Sequence, residues 1–210
     1  VTGIFRGHGA RTRRLAAFLK RRARTAPAGR PALDCGSFPK LFSKRAVVFT
    51  DTDDFTVKVA RHGILHFLML FDRLVAAAAP LIRGAGGAIV KVEGDSLLLR
   101  FDDVAAACDG VVAIEGALAR VNRGRPEAER LAFSYGLGFG DVLDLEGDLF
   151  GLEVNLASKL GEDMAKRGEV LLTPAAAAAL PKRRLHQVVP YAVATFEGRA
   201  TPVQRLKLGR

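Results

Sequence analysis

Residues 88 to 101, AIVKVEGDSLLLRF, constrain this chain more than any other stretch. Two runs of β-forming residues meet at Glu93-Gly94-Asp95, so the chain must reverse there in a tight hairpin, with Gly94 supplying backbone angles that other residues avoid. Side chains alternate faces along a strand, which puts Lys91 and Glu93 on one side and Val90 and Val92 on the other. A turn acid beside a charged pair invites a phosphate or a metal. Taken alone, the stretch also reads as a solvated hairpin tip, because charges are common near turns.

The flanking pattern places this hairpin in a layered fold. Arg45 to Asp51 is an apolar run ending in acid, which predicts a central strand covered on both faces. Asp53, Asp54, Phe55 and Thr56 then lead into a helical pattern reaching about Arg83, stopped by the glycines at 84, 86 and 87. Asp102 to about Asn122 predicts a second helix, and Leu131 to Phe139 a strand. In that strand Gly136, Gly138 and Gly140 alternate, leaving one face bare for something to approach the backbone. Asp141 to Gly151 reads as an acidic hairpin or loop. Leu152 to Lys166 reads as a helix with Leu152, Leu156 and Leu160 along one stripe and Asn155 and Lys159 on the neighbouring one. Glu169 to Thr173 is a short strand, Thr173-Pro174 opens an alanine helix, and short β-prone pieces follow from His186 to Leu208. This order predicts an α+β fold of the ferredoxin-like kind, an antiparallel sheet with helices on one face. No internal repeat is visible.

The net charge of +10 is unevenly spread. Residues 1 to 45 hold twelve Lys/Arg against one acid, Asp34, and the remainder is close to neutral. The division expected is therefore a basic N-terminal arm and linker, 1–44, followed by a folded domain, 45–210. Within the arm, residues 10 to 24 can form a short basic helix with Leu15, Phe18 and Leu19 on one side. Such a helix can lie on an anionic membrane, contact a partner, or serve as a solvated connector. Ala26 to Asp34 is rich in breakers and reads as a linker. The arm lacks aromatic interleaving, so no nucleic-acid partner is expected. Cys35 and Cys108 are far apart and outside any metal-ligand spacing, which predicts ordinary thiols in a reducing compartment. No run of about 18 apolar residues and no signal-peptide core are evident, and a cytoplasmic location is expected.

Asp51 at a strand end and Asp95 in the hairpin turn can meet if the first strand runs beside the hairpin. Paired carboxylates suit Mg²⁺ or Mn²⁺, which complete their shells with substrate phosphates. Two such ions can activate an attacking oxygen and neutralise a leaving one. Asp51 can equally cap the following helix.

Three blocks carry a resemblance. VVFTDTDDFT (47 to 56), KVEGD (91 to 95) and DLFGLEVNLASKL (148 to 160) resemble the signature blocks of the class III adenylate/guanylate cyclase catalytic domain, in order and over about residues 45 to 208. The resemblance implies a homodimer with active sites at the interface, each drawing residues from both chains. Asp51 and Asp95 would hold two Mg²⁺ or Mn²⁺ ions, with the backbone carbonyl of Thr52 a further ligand. Lys91 and Asp148 would contact the purine. Guanine-selective members carry a glutamate at the first position and usually a cysteine or similar residue at the second, so the resemblance points to ATP and to synthesis of cyclic AMP with release of pyrophosphate. An ammonium and a carboxylate also complement the acceptor and donor edge of adenine.

The same resemblance gives Asn155 to the ribose, Lys159 to the phosphates and Arg199 to a late phosphate contact. Lys159 stands where the family usually has arginine, which keeps the charge but loses the planar fork. That departure motivates an alternative, a degenerate domain that binds nucleotide or dimerises as a regulatory module without turnover. Two further departures are Glu93, where an apolar residue is usual, and a shortened loop from Gly140 to Asp148, which makes Asp144 a conceivable substitute for Asp148. An upstream sensor domain is a further expected partner.

Overall fold

The computed structural model describes residues 9–196 and 198–208. The first eight residues of the basic arm, Glu197 and the last two positions of the expected catalytic domain lie outside the described residues.

Helices α1 (Ala10–Arg24) and α2 (Arg30–Leu41) precede strand β1 (Ser43–Thr52). Helices α3 (Phe55–His62) and α4 (Ile64–Gly84) lead to the hairpin β2 (Gly87–Glu93) and β3 (Ser96–Phe101). Helix α5 (Val104–Val121), strands β4 (Phe133–Leu145) and β5 (Asp148–Phe150), and helix α6 (Leu152–Lys159) follow. Strand β6 (Val170–Leu172), helix α7 (Pro174–Ala178) and the hairpin β7 (Val188–Phe196) and β8 (Arg199–Leu206) complete the chain. The strands form one sheet in the order β2-β3-β1-β4-β6-β8-β7, with β5 paired to β4 beside it.

Strand alternation sorts the chain into two faces. Ala46 and Val48 of β1, Leu97, Leu99 and Phe101 of β3, and Phe133, Tyr135 and Leu137 of β4 join Phe67, Leu70, Leu74, Ile82, Val111 and Ile114 of α4 and α5 in the main core. Val47, Leu98 and Val142 point the other way and meet Val154 and Ala157 of α6. The α+β layers are those expected, with two differences. The sheet is mixed, because β6 pairs parallel to β4. A parallel neighbour needs a crossover, and α6 supplies it. Helices also occupy both faces, since α6 lies opposite α4 and α5.

The bare face of β4 explains how α6 fits. A Cβ on Gly136 would lie 1.9 Å from the carbonyl oxygen of Ala157, and one on Gly138 2.5 Å from that of Glu153. Main chain therefore packs on main chain. Glu153 fixes the contact, accepting hydrogen bonds from the Phe139 N–H at 3.1 Å and the Thr173 hydroxyl at 2.6 Å.

Several expected boundaries change. The segment expected as a linker, Ala26 to Asp34, contains a 3₁₀ turn at Pro27–Gly29 and the start of α2. Pro31 sits in the first turn of α2, where its missing N–H costs nothing. The expected single helix to Arg83 is broken at Gly63, whose φ of +84° no ordinary residue adopts cheaply. The helix expected to reach Lys166 ends in a π turn at Leu160–Met164. Its leucine stripe is only partly the buried one: Leu160 is buried along with Val154 and Ala157, while Leu156 is half-buried and Leu152 exposed. Helix α4 is long and apolar enough by length and composition to cross a bilayer, yet it buries Phe67, Leu70, Phe71, Leu74, Ala78 and Ile82 in the core. Both cysteines are free thiols.

The basic helix is not a loose connector. Leu15 packs with Leu143 and Leu145 of β4, joined by Phe18, Leu19, Leu41 and Phe42. Glu146, in the β4–β5 turn, caps α1 from outside: it accepts from the Thr12 hydroxyl at 2.6 Å and from the main-chain N–H groups of Arg11 and Thr12. The first N–H groups of a helix have no partner within it, and a carboxylate there also suits the helix dipole. These bonds hold the Glu146 carboxyl down at about 2.

Candidate active site

Strand β1 pairs antiparallel with β3, bringing Thr50 opposite Leu97. Asp51 therefore arrives beside Ser96, and the turn carrying Asp95 folds over the end of β1. The Thr52 hydroxyl donates to the main-chain carbonyl of Asp95 at 2.6 Å, and the Ser96 hydroxyl reaches a carboxylate oxygen of Asp51 at 3.5 Å. The meeting of the two acids expected from sequence is thus built by strand register, with Gly94 (φ +61°) closing the turn.

Among the described residues, neither carboxylate has an ion-pair partner. Burial, then the charge of Asp95, then that of Glu162 push the Asp51 carboxyl up to about 6, against a weaker opposing hydrogen bond from Ser96. Burial also raises Asp95, opposed by hydrogen bonds from the main chain at Asp95 and Thr52. Glu162 lies in the π turn, and is itself raised by burial and by Asp163, Asp95 and Glu93. This is concentrated, uncompensated negative charge, the chemistry of a hard-cation site. Among the described residues no group of three or more His, Cys, Asp or Glu side chains is arranged to hold a metal. An ion on Asp51 and Asp95 would complete its shell with other oxygens, as Mg²⁺ does with phosphates.

Lys91 lies opposite Leu98 in the β2–β3 register, so it projects from the face of the sheet that α6 covers. Its ammonium is 3.6 Å from Asp148 and 2.8 Å from Glu93. The hydrogen bond to Glu93 raises the Lys91 pKa, and the charge of Asp148 adds to it. The expected purine pair is therefore brought together within one chain, and Glu93, which the sequence left unexplained, is a second carboxylate on the Lys91 ammonium. Asp148 is itself oriented by accepting the Leu149 N–H at 2.9 Å. Asp144 is no substitute for it. Asp144 is 8% exposed and is engaged by both Arg11 and Arg100.

Asn155 and Lys159, one turn apart on α6, are exposed on the side of the helix away from the sheet. With Arg199 they line a cavity of about 210 Å³, whose apolar wall is Leu152, Leu156 and Phe196. The Lys159 ammonium lies 5.9 Å from the centre of the Phe196 ring. A cation on an aromatic face beside an arginine is placed for anionic oxygens. The structure thus unites Asn155, Lys159 and Arg199, although Arg199 is forty residues beyond the helix.

No family model matches the sequence. An adenylate cyclase of Streptomyces coelicolor is 31% identical over 168 residues, 80% of this chain and 42% of that protein. Among solved structures, an adenylate/guanylate cyclase/hydrolase from Silicibacter pomeroyi is 24% identical, with a TM-score of 0.66 over 80% of this chain and 99% of that one. The adenylyl cyclase CyaB from P. aeruginosa is 20% identical, with a TM-score of 0.67 over 80% and 96%. The chain belongs to the class III nucleotide cyclases.

As a class III domain it spans less than half the length of the curated relatives it matches. Guanylyl cyclases are among the structures sharing its fold, so the fold alone does not select a purine. Three residues that shape the site were not found from sequence. Glu162, Phe196 and the orienting role of Glu93 all depend on partners brought in by the fold. Only Glu162 left a local signal, its spacing of three residues from Lys159 on a helical pattern.

Proposed function

We propose that this domain is an adenylate cyclase, closing ATP to 3′,5′-cyclic AMP and pyrophosphate at the interface of a homodimer. The observation that carries the reading is that Asp51, Lys91 and α6 all belong to one face of the sheet, the face lacking the thick helical layer of α4 and α5. Phe150 and Leu152, close in sequence to Asp148 and Asn155, are exposed large apolar residues, as suits a face covered by a second copy.

Asp51 and Asp95, with the main-chain carbonyl of Thr52, would hold two Mg²⁺ or Mn²⁺ ions. When bound, these supply positive charge to the phosphates and lower the pKa of the attacking hydroxyl. The chain's own residues bind and orient. Lys91 donates to the acceptor nitrogen of adenine and Asp148 accepts from its amino group, an arrangement that opposes guanine because its edge has the reverse sense. Asn155 fixes the ribose. Lys159 and Arg199 face the phosphates as the 3′-oxygen bonds to the α-phosphorus, the bond from that phosphorus to the bridging oxygen breaks, and pyrophosphate leaves with the electron pair. The hydroxyl proton passes to solvent water or to the leaving pyrophosphate. Catalysis on this reading is positioning and electrostatics.

The test is product analysis of purified protein with Mn²⁺ and either ATP or GTP. Cyclic AMP from ATP, well above cyclic GMP from GTP, is the expected result; equal products would remove the adenine assignment. The second reading, a nucleotide-binding module without turnover, is favoured by Lys159 in place of arginine. Saturable ATP binding with no product at high protein concentration would establish it over the first.

A further inference from the structure

We propose that the seam between the basic arm and the sheet is a second binding site, for a small free phosphate-class anion. A cavity of about 200 Å³ opens where α1, α2 and the start of β1 meet β4. Arg11, Arg14, Lys40 and Arg45 line it, against one carboxylate, Asp144, with Ser43 also in the wall. This site is built by residues that the cyclase reading does not use, and it stands or falls separately from that reading.

Charge accounting shows why the cavity wants an anion. Asp144 is already engaged by Arg11 and by Arg100 from β3, so it cannot also neutralise the other cations. Arg14 and Lys40 form no ion pair among the described residues. Arg45 approaches the exposed Asp102 only at 3.6 Å, and its Nε is buried with no acceptor. A buried N–H without a partner is uncommon in folded proteins and marks a place where an acceptor belongs. Several like charges around one concavity also focus a positive field into it.

Size and donor type narrow the ligand. Guanidinium forks match phosphate oxygens, and a lysine adds a mobile point charge. Pockets for larger organic ligands are about 300–1,000 Å³, so this cavity suits one or two phosphate groups better than a whole nucleotide. Inorganic pyrophosphate is the natural probe. The occupied site would join α1, α2, β1 and β4 through one ligand. Because Glu146 ties α1 to the turn two residues before Asp148, the arm would then be fastened at both ends of the same hairpin.

The test is calorimetric titration of the whole chain with pyrophosphate, in chelator and at fixed ionic strength, so that no divalent ion recruits it to Asp51 and Asp95. Saturable binding with one site per chain is expected. The pair Arg14→Ala and Lys40→Ala, both exposed positions, should weaken it about tenfold or more, while Lys159→Ala leaves it unchanged. A matching readout is thermal: pyrophosphate should raise the unfolding midpoint of the wild type and not of the double variant. Absence of saturable binding, binding untouched by the double substitution, or loss on Lys159→Ala would each overturn the proposal. Adsorption to phosphatidate-containing vesicles that pyrophosphate fails to displace would overturn the free anion as its occupant in favour of a lipid headgroup.

Discussion

Two acidic sites flank the same sheet and are treated in opposite ways. Asp144 is buried and gripped by two arginines, Arg11 from the arm and Arg100 from β3. Asp51 and Asp95 are partly buried as well, yet no cation of the described chain pairs with either, and further acids, Glu162 and Asp53, add to the field at Asp51. Burial of a carboxylate is costly unless it is paired. The chain meets that cost with its own cations where the acid only joins segments, and leaves it unmet where a ligand would bring the cation. Asp148 lies between these extremes, paired to a lysine that also has Glu93 and that remains partly exposed.

The comparison breaks most directly at the unpaired acids. Asp51→Ala or Asp95→Ala should lower cyclic AMP production about 1,000-fold or more, by analogy with loss of a principal electrostatic group, while circular dichroism stays unchanged. Asp144→Asn should leave the turnover of folded protein within a few-fold. If Asp144→Asn abolishes activity without unfolding, the division between the two sites is wrong.

The intermediate case comes next in size. Lys91→Glu with Asp148→Cys should shift the GTP-to-ATP preference about 100-fold, since mismatched hydrogen bonding in a buried site is strongly discriminating; initial rates on both nucleotides decide it. A ratio that does not move would detach this pair from purine choice.

Stability sharpens the contrast further. Asp144→Asn leaves Arg11 and Arg100 without their counter-charge, and an urea titration should show a loss of about 2 kcal/mol, below the usual cost for fully buried pairs because both arginines are partly exposed. Asp51→Asn should do the reverse. The Asp51 carboxyl is raised in the folded state, so its contribution to stability is present below about pH 4 and lost as pH rises through about 6. In chelator at pH 7 the amide should therefore stabilise by about 1 kcal/mol, a figure reduced for solvent screening, and flatten the stability profile between those two pH values. A fall in stability would show that Asp51 is compensated after all.

The smallest effect belongs to Glu93→Gln. Removing one of the two acids on Lys91 should change the KM for ATP about threefold with kcat nearly unchanged, the order expected for an exposed ion pair. A large fall in kcat would make Glu93 more than an orienting group.

What the sequence disclosed was whatever is written in short-range patterns. The apolar run into Asp51, the two-residue reversal at Gly94 and the alternate glycines of β4 each specify geometry within a few residues, and the structure has all three. Pro27, Gly29 and Pro31 misled, because breakers at a helix start look like those in a linker unless the following turn is weighed. The parallel pairing of β6 was not legible either, since nothing in Val170–Leu172 names its neighbour. Glu93 was visible as an oddity and explained only when β5 came alongside β2. The arm showed its charge but not its anchorage, because Glu146 lies more than 130 residues from Arg11 and Thr12, from whose N–H groups it accepts hydrogen bonds.

The glycine face of β4 has one more consequence, for how such a domain can change over time. Helix α6 carries Asn155 and Lys159 at a height above the sheet set by missing atoms, with a carbonyl of α6 occupying the space a methyl group would need at position 136. Side-chain contacts can be repaired by trimming a neighbour, but a carbonyl cannot be trimmed. A selection for suppressors of Gly136→Ala should therefore recover true reversion or backbone shifts of the whole helix, and no single side-chain exchange on α6. Exchanges on the outward side of that helix leave its packing on the sheet untouched, as the lysine at 159 illustrates, while its distance from the sheet is inherited as a fixed dimension.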